Sequence, residues 1–347
     1  MPGPKTLVMR AGGPAQPGPH LARVVGTALA GQGERPRPAS TEPRPSRSGF
    51  RDLRPGHLAA GTVALLLTLL PAPALGFDPA AALESTRRAV AFGPRPAGSP
   101  ALAKLRQWLL GELRPLRCEI VEDAFTARTP LGPRSMVNVI ARFPGSSGRV
   151  VVVSGHYDTY IRPGLPFVGA NDGGSSAGFL LELARTVARQ SHKDSIWIVW
   201  LDGEESLVSW TGEDYTYGSR HLAGKWKAEG VVPSIKALLN VDMIGDASLN
   251  LLYDQNSTAW LRDLVWSVAA RLGYGAQFGR DPSSIEDDHM RFLEAGIPAV
   301  DLIDYDYGPS NAWWHTAADT VDKLSARSFE IVGRVVLETL RSLELRR

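Results

Sequence analysis

Apolar residues recur along this chain at two different periods, and the two alternate. Residues 78–92, 99–114, 175–190, 260–273 and 326–343 carry them at helical spacing. Between these lie short apolar runs at 149–155, 195–202, 236–244 and 297–303. Their hydrophobicity is continuous, as expected of strands covered on both faces. Residues 119–125 and 135–143 read as the two strands of an edge hairpin. Strands alternating with helices predict a doubly wound α/β/α sandwich with a mixed, centrally parallel sheet. One domain over residues 77–347 accounts for all of these elements, and no internal repeat is visible.

The pattern is different before residue 77. Residues 1–55 are rich in Pro, Gly, Arg and Ser and show no periodicity, so no structure is assigned to them. Arg51 and Arg54 then precede an apolar run from Ala59 to Leu70, followed by the small residues Ala74 and Gly76. The run is short for a membrane span and fits a secretory signal over residues 56–76. Such signals sit at the start of a chain. The expectation is therefore a true start near residue 50, a basic tail that is disordered or misannotated, and a secreted or periplasmic product. The alternative is a genuine extension ahead of an uncleaved membrane anchor.

Composition adds limits. Over 347 residues, hydrophobic content of 44% and charged content of 21% describe a globular chain. Residues 1–55 hold nine Lys or Arg against three Asp or Glu, a surplus of +6; the overall charge of +2 leaves about −4 for the rest. The basic character thus belongs to the tail, and the body has no basic-aromatic patch to suggest a nucleic-acid partner. With one cysteine, Cys118, an internal disulfide and a cysteine-based metal cluster are both excluded. His20, His57 and His192 are read as non-functional, and His221 as a structural helix residue.

The chemistry lies at the strand ends. His156 and Asp158 close one strand, Glu204 and Glu205 follow the next, and Asp242 closes a third; Asp172 sits in GANDGGSS and His315 in AWWHTAADT. In open α/β sheets, ligands bind beyond the carboxyl ends of the strands, so these residues are expected to converge. Asp, Glu and His together make a three-ligand cage for a divalent metal such as zinc, and a second glutamate beside a ligand suits a general base. Taken singly, Asp172 also reads as a turn or cap residue, Glu205 as a solvated charge and His315 as a surface histidine. Two adjacent carboxylates at a strand end, however, repel unless a cation offsets them.

The order His-x-Asp, Asp, Glu-Glu, Asp, His resembles the zinc-dependent M28 aminopeptidases over essentially all of residues 77–347. The resemblance implies Asp172, Glu205 and His315 as ligands of one zinc, with Asp172 bridging to a second metal on His156 and Asp242 in peptidases, and Glu204 as the base. FGPRPAGSP, FTARTPLGPRSMVNVIARFPG, DGEESLVSWTGEDYTYGSRHLAG and SIEDDHMRFLEAGIP are similar to one branch, the glutaminyl-peptide cyclotransferases. That branch implies one zinc, catalytic Glu204, Asp242 and Asp287, and pocket walls from Trp210 and Trp314. The segment LIDYDYGPSNAWWHT departs from it, being longer than in the animal enzymes.

The leading expectation is therefore cyclisation of N-terminal glutamine on peptide or protein N-termini, with ammonia released. A two-zinc aminopeptidase is the alternative, and an inactive binding domain on the same fold is a third reading. Most of the nine tryptophans are expected to be core residues.

Overall fold

A computed structural model of the chain describes Lys5–Thr6 and residues 76–346, all within one compact unit. The expected basic tail lies outside the described residues, apart from Lys5–Thr6, and so does the signal-like segment, apart from Gly76. Among the described residues no helix is long and apolar enough to cross a membrane.

The main sheet has six strands. A two-residue strand, β1 (Lys5–Thr6), belongs to a second sheet. The main sheet comprises β2 (Glu119–Thr129), β3 (Gly132–Phe143), β4 (Val150–His156), β5 (Ser195–Leu201), β6 (Ile235–Asp242) and β9 (Ala299–Ile303), in the order β2-β3-β5-β4-β6-β9. The β2–β3 hairpin and the β3–β5 pair are antiparallel; β5, β4, β6 and β9 run parallel. The result is the expected mixed sheet with a parallel centre.

Side-chain alternation assigns each strand's two faces. Val151 and Val153 of β4 and Ile196, Ile198 and Trp200 of β5 enter one core. That core is closed by α1 (Pro79–Val90), α2 (Pro100–Leu113), α3 (Gly174–Val187), α5 (Ala259–Arg271) and α7 (Ala326–Leu345). Val150, Val152, Val199, Leu201 and Leu238 point the other way. They pack on Leu222 and Trp226 of α4 (Tyr217–Ala228) and Phe292 of α6 (Asp288–Glu294). Helix starts follow their caps: Asp78 and Ser99 accept backbone N–H bonds immediately ahead of Pro79 and Pro100.

Two features differ from the sequence reading. The hairpin arms run to Thr129 and start at Gly132, longer than the apolar segments. A small parallel sheet, β1-β8-β7, contains β7 (Leu251–Asp254) and β8 (Phe278–Ser284). β8 reads FGRDPSS and is mostly exposed, so it carries no apolar period; its Pro282 is a residue that sequence patterns count against a strand.

Candidate active site

Three parallel strands deliver the site at their carboxyl ends. β4 ends at His156, whose Nε2 lies 3.1 Å from Asp242 Oδ1 at the end of β6 and 3.2 Å from Asp172 Oδ1. The other Asp172 oxygen, Oδ2, lies 3.1 Å from His315 Nε2, and that nitrogen is 3.4 Å from Glu205 Oε2. Donor atoms of Asp172, Glu205 and His315 fall within 4.8 Å of one another, as do those of His156, Asp172 and Asp242. One carboxylate thus joins two ligand groups.

The surrounding chain fixes these side chains. Asp158, one turn past β4, accepts the backbone N–H groups of Glu204 and Glu205 at 3.2 and 3.4 Å, which holds the two glutamates at the end of β5. Asp319 accepts the N–H groups of Asn171 and Asp172 at 2.8 and 3.2 Å and the Tyr307 hydroxyl at 2.8 Å. The buried Arg95 donates to the carbonyls of Val168 and Gly169 at 2.7 and 3.1 Å, tying down the loop that leads into Asp172. Gly173 follows at φ +76°, where an added Cβ would stand 2.2 Å from the Asp158 carbonyl. No side chain fits there. Gly173 is itself the residue before α3, and no side chain caps the helix, so the Asp172 carboxylate is free to face the two histidines.

His315 is the strained member, with φ +53°. Its ring stacks on Trp314 at 4.0 Å and Tyr160 at 4.5 Å, and Arg162 donates to its carbonyl. Left-handed backbone in a non-glycine residue costs about 1–3 kcal/mol and persists where surrounding contacts overdetermine it. Trp210 lies 6.1 Å from the His315 ring, in an apolar wall with Ile285, Ile303, Tyr305 and Trp314. Its loop is gathered by Asp214, which accepts the N–H groups of Leu207, Val208 and Ser209.

The site concentrates negative charge. Burial pushes the Glu205 carboxyl up to about 8, helped by the Asp172 charge and opposed by His315. Burial lifts Asp242 to about 6, with His156 opposing. Burial also raises Glu204 well above the carboxylate range, and the Asp287 and Glu205 charges add to the shift. Burial acts against the charged form of Asp172 too, but its contacts with His156 and His315 outweigh it and keep the group ionised. His315 moves the other way: burial lowers it, yet the Glu205 and Asp172 charges lift it to about 10. Both Glu205 oxygens and Asp172 Oδ2 lack a hydrogen-bond partner despite burial. Buried, unsatisfied carboxylate oxygens facing an imidazole fit a divalent metal such as zinc.

Asp287 lies at the start of α6. It is the residue just before the helix, and its Oδ1 accepts the Asp288 N–H. The cap reading of this residue therefore holds in the geometry. Its Oδ2 accepts from Asn240 at 2.8 Å, and its charge acts on both Asp242 and Glu204. His156, Asp158, Asp172, Glu204, Glu205, Trp210, Asp242, Asp287 and His315 are buried, and Trp314 is partly buried beside His315. His221 and His192 are structural: the first stacks on Phe125, and the second bonds the Val187 carbonyl. Sequence reasoning missed the supports Arg95, Asp214, Asn240 and Asp319. Asp319 stands four residues after His315 inside a motif already noted, which was the available signal.

The chain matches the model of peptidase family M28 over residues 138–340, more than half its length. It is 31% identical over 272 residues to a glutaminyl-peptide cyclotransferase-like protein of Mus musculus, covering 70% of each chain. It is similar in structure to an Acidobacteriales bacterium glutaminyl cyclase, with a TM-score of 0.76, 41% identity, and 78% and 96% of the two chains covered. A Zn-dependent exopeptidase from Parabacteroides distasonis is also similar, with a TM-score of 0.69, 25% identity, and 78% and 99% covered. On the sequence match and the shared architecture, the chain belongs to peptidase family M28, in its glutaminyl-peptide cyclotransferase branch.

Proposed function

We propose that this protein converts the N-terminal glutamine of peptides into pyroglutamate and releases ammonia. The observation that carries the reading is the meeting of Asp172, Glu205 and His315 beneath an aromatic wall, with Glu204 beside them. The match to glutaminyl cyclases supports it. When bound by Asp172, Glu205 and His315, zinc supplies Lewis-acid polarisation of the side-chain amide oxygen.

The chain's own residues do the rest. Trp210 and Trp314 give flat walls that seat the glutamine and exclude water, favouring attack by the amine over hydrolysis. Glu204 Oε1 is buried without a partner, so Glu204 has a free oxygen beside the ligand group with which to exchange a proton. It takes a proton from the α-amine as the nitrogen bonds to the amide carbon. It then returns that proton to the departing nitrogen as the carbon–nitrogen bond breaks, so ammonia leaves and Glu204 ends as it began. Asp287 accepts a hydrogen bond from the amide nitrogen, and Asp242 shares protons within the same acidic group.

A two-zinc aminopeptidase is the second reading, favoured by the intact group of His156, Asp172 and Asp242. Incubation with a Gln-Phe peptide separates the two: loss of ammonia from the intact peptide supports the cyclase, and freed glutamine supports the peptidase. Metal analysis gives an independent answer, one zinc per chain against two. We also read residues 56–76 as an export signal that makes the mature protein secreted or periplasmic. The mass of the N-terminus isolated from its native source tests this, and an intact Met1 end would refute it.

A further inference from the structure

Below the strand ends, a polar row crosses the sheet. Ser154 of β4 pairs in register with Asn240 of β6, and Asn240 with Asp301 of β9. Asn240 is two residues before Asp242, so the two share one face, the face that carries Leu238 against α4 and α6. The row is continuous in hydrogen bonds. The Ser154 hydroxyl donates to Asn240 Oδ1 at 2.9 Å. Asn240 Nδ2 donates to Asp287 Oδ2 at 2.8 Å and to Asp301 Oδ1 at 3.2 Å. The Ser154 hydroxyl is thus met by the amide oxygen, and the amide nitrogen faces the two aspartates. Asn240 is buried, and both N–H groups of its amide are used in these bonds.

We propose that Asn240 is a positioning residue that aims the Asp287 carboxylate at the reacting amide. Asp287 Oδ1 is occupied by the Asp288 N–H and Oδ2 by Asn240. Two fixed bonds, one per oxygen, hold the plane of the carboxylate and leave a lone pair on each oxygen for the substrate. The helix cap alone fixes one oxygen and permits rotation about the side-chain bond. Asn240 also delivers two neutral donors among Asp242, Asp287 and Asp301, where a basic side chain would disturb the neighbouring metal ligands. The inference rests on the proposed role of Asp287 in cyclisation.

The test is a double-mutant cycle on purified, zinc-loaded protein. Asn240→Leu, which keeps the γ-branched shape but donates nothing, Asp287→Asn and the double variant are assayed for kcat and KM on a Gln-Phe peptide, with melting temperature and zinc content alongside. Asn240→Leu is expected to lower kcat about tenfold with KM within about threefold, but to change kcat less than about twofold in the Asp287→Asn background. Asn240→Ser, which keeps a hydroxyl donor, recovers part of the rate. If Asn240→Leu does not fold, Asn240→Ser completes the cycle with a smaller coupled loss. Wild-type kcat in the Asn240 variants overturns the proposal, as does an equal loss in both backgrounds. A wild-type kcat in Asp287→Asn alone is a different failure: it removes the role of Asp287, and the proposal falls with it.

Discussion

His315 Nε2 and Asp172 Oδ2 stand 3.1 Å apart, joined across 143 residues of sequence. The contact exists because the loops after β4 and β9 meet at the same edge of the sheet, with Asp319 and Arg95 clamping the segment that leads into Asp172. The other oxygen of Asp172 meets His156 at 3.2 Å. A single carboxylate is thereby the hinge of both ligand groups, and Glu205 and His315 are what distinguish the first from the second.

Glu205→Ala removes one of those two ligands. Zinc content and activity are expected to fall together, while His156, Asp172 and Asp242 keep their mutual contacts. Metal analysis beside the cyclisation assay checks this. Full zinc with full rate would show that Glu205 is not a ligand.

Glu204→Gln separates the base from the metal. Glutamine keeps the size and hydrogen bonding but accepts no proton at neutral pH. The rate is expected to drop about 10²–10⁴-fold with zinc still bound. Wild-type turnover would remove Glu204 from the proton transfers.

Removing the metal exposes the charge balance to pH. Glu205 in the folded chain sits near 8 and Asp242 near 6, both above their unfolded values, and His315 near 10 is raised as well. Groups with raised folded pKa values hold their protons more tightly when folded. Their contribution to stability is present at low pH and is lost as pH rises through about 4 to 8 for the carboxyls and about 6.5 to 10 for His315. Asp172 is lowered and acts the opposite way only at acid pH, below its unfolded value. The chelated protein is therefore expected to lose melting temperature between pH 6 and 9. Bound zinc replaces the protons, so the gap between holo and metal-free melting temperatures widens over that range. Melting curves at several pH values with and without a chelator decide it; a constant gap would contradict the charge assignment.

The strand-end chemistry was legible because apolar runs such as RVVVVSG and SIWIVWLD are largely buried on both faces, as the two middle strands of the sheet are. The sheet rule then places their last residues together. The supports were not legible. Asn240 hides inside the apolar run KALLNVDMI, where a polar residue could only be placed once its partners on β4, β9 and α6 were known. Arg95 lies in the quoted segment FGPRPAGSP, but it acts on backbone carbonyls, so no partner side chain in the sequence marks its role. β7 was missed because its four residues, LLYD, are too short a run to show a period, and β8 because FGRDPSS has almost no apolar residues.

Asp287→Asn is the variant in which stability and function part company. As a helix cap, Asp287 tolerates asparagine, since both residues cap about equally. As a charge, it is unfavourable to its neighbours: it pushes up the pKa values of Glu204, Asp242, Asp288 and Asp301, all of them buried. Neutralising it relieves that repulsion. Against this, an asparagine has one acceptor oxygen for two incoming donors, the Asp288 N–H and Asn240 Nδ2, so one hydrogen bond of about 1 kcal/mol is lost. The two effects oppose, and the melting temperature is expected to stay within about 3 °C of wild type. Zinc content should not change, because Asp287 is not among the Asp172, Glu205 and His315 ligands. A residue kept only as a cap would then show normal kcat. A carboxylate that accepts a hydrogen bond from the reacting amide nitrogen cannot be replaced by a group that presents N–H in its place, so kcat is expected to fall at least tenfold at unchanged stability. A melting scan, a zinc assay and a cyclisation assay on one preparation suffice. Normal cyclisation would leave Asp287 a cap, and would move the balance toward the two-zinc peptidase.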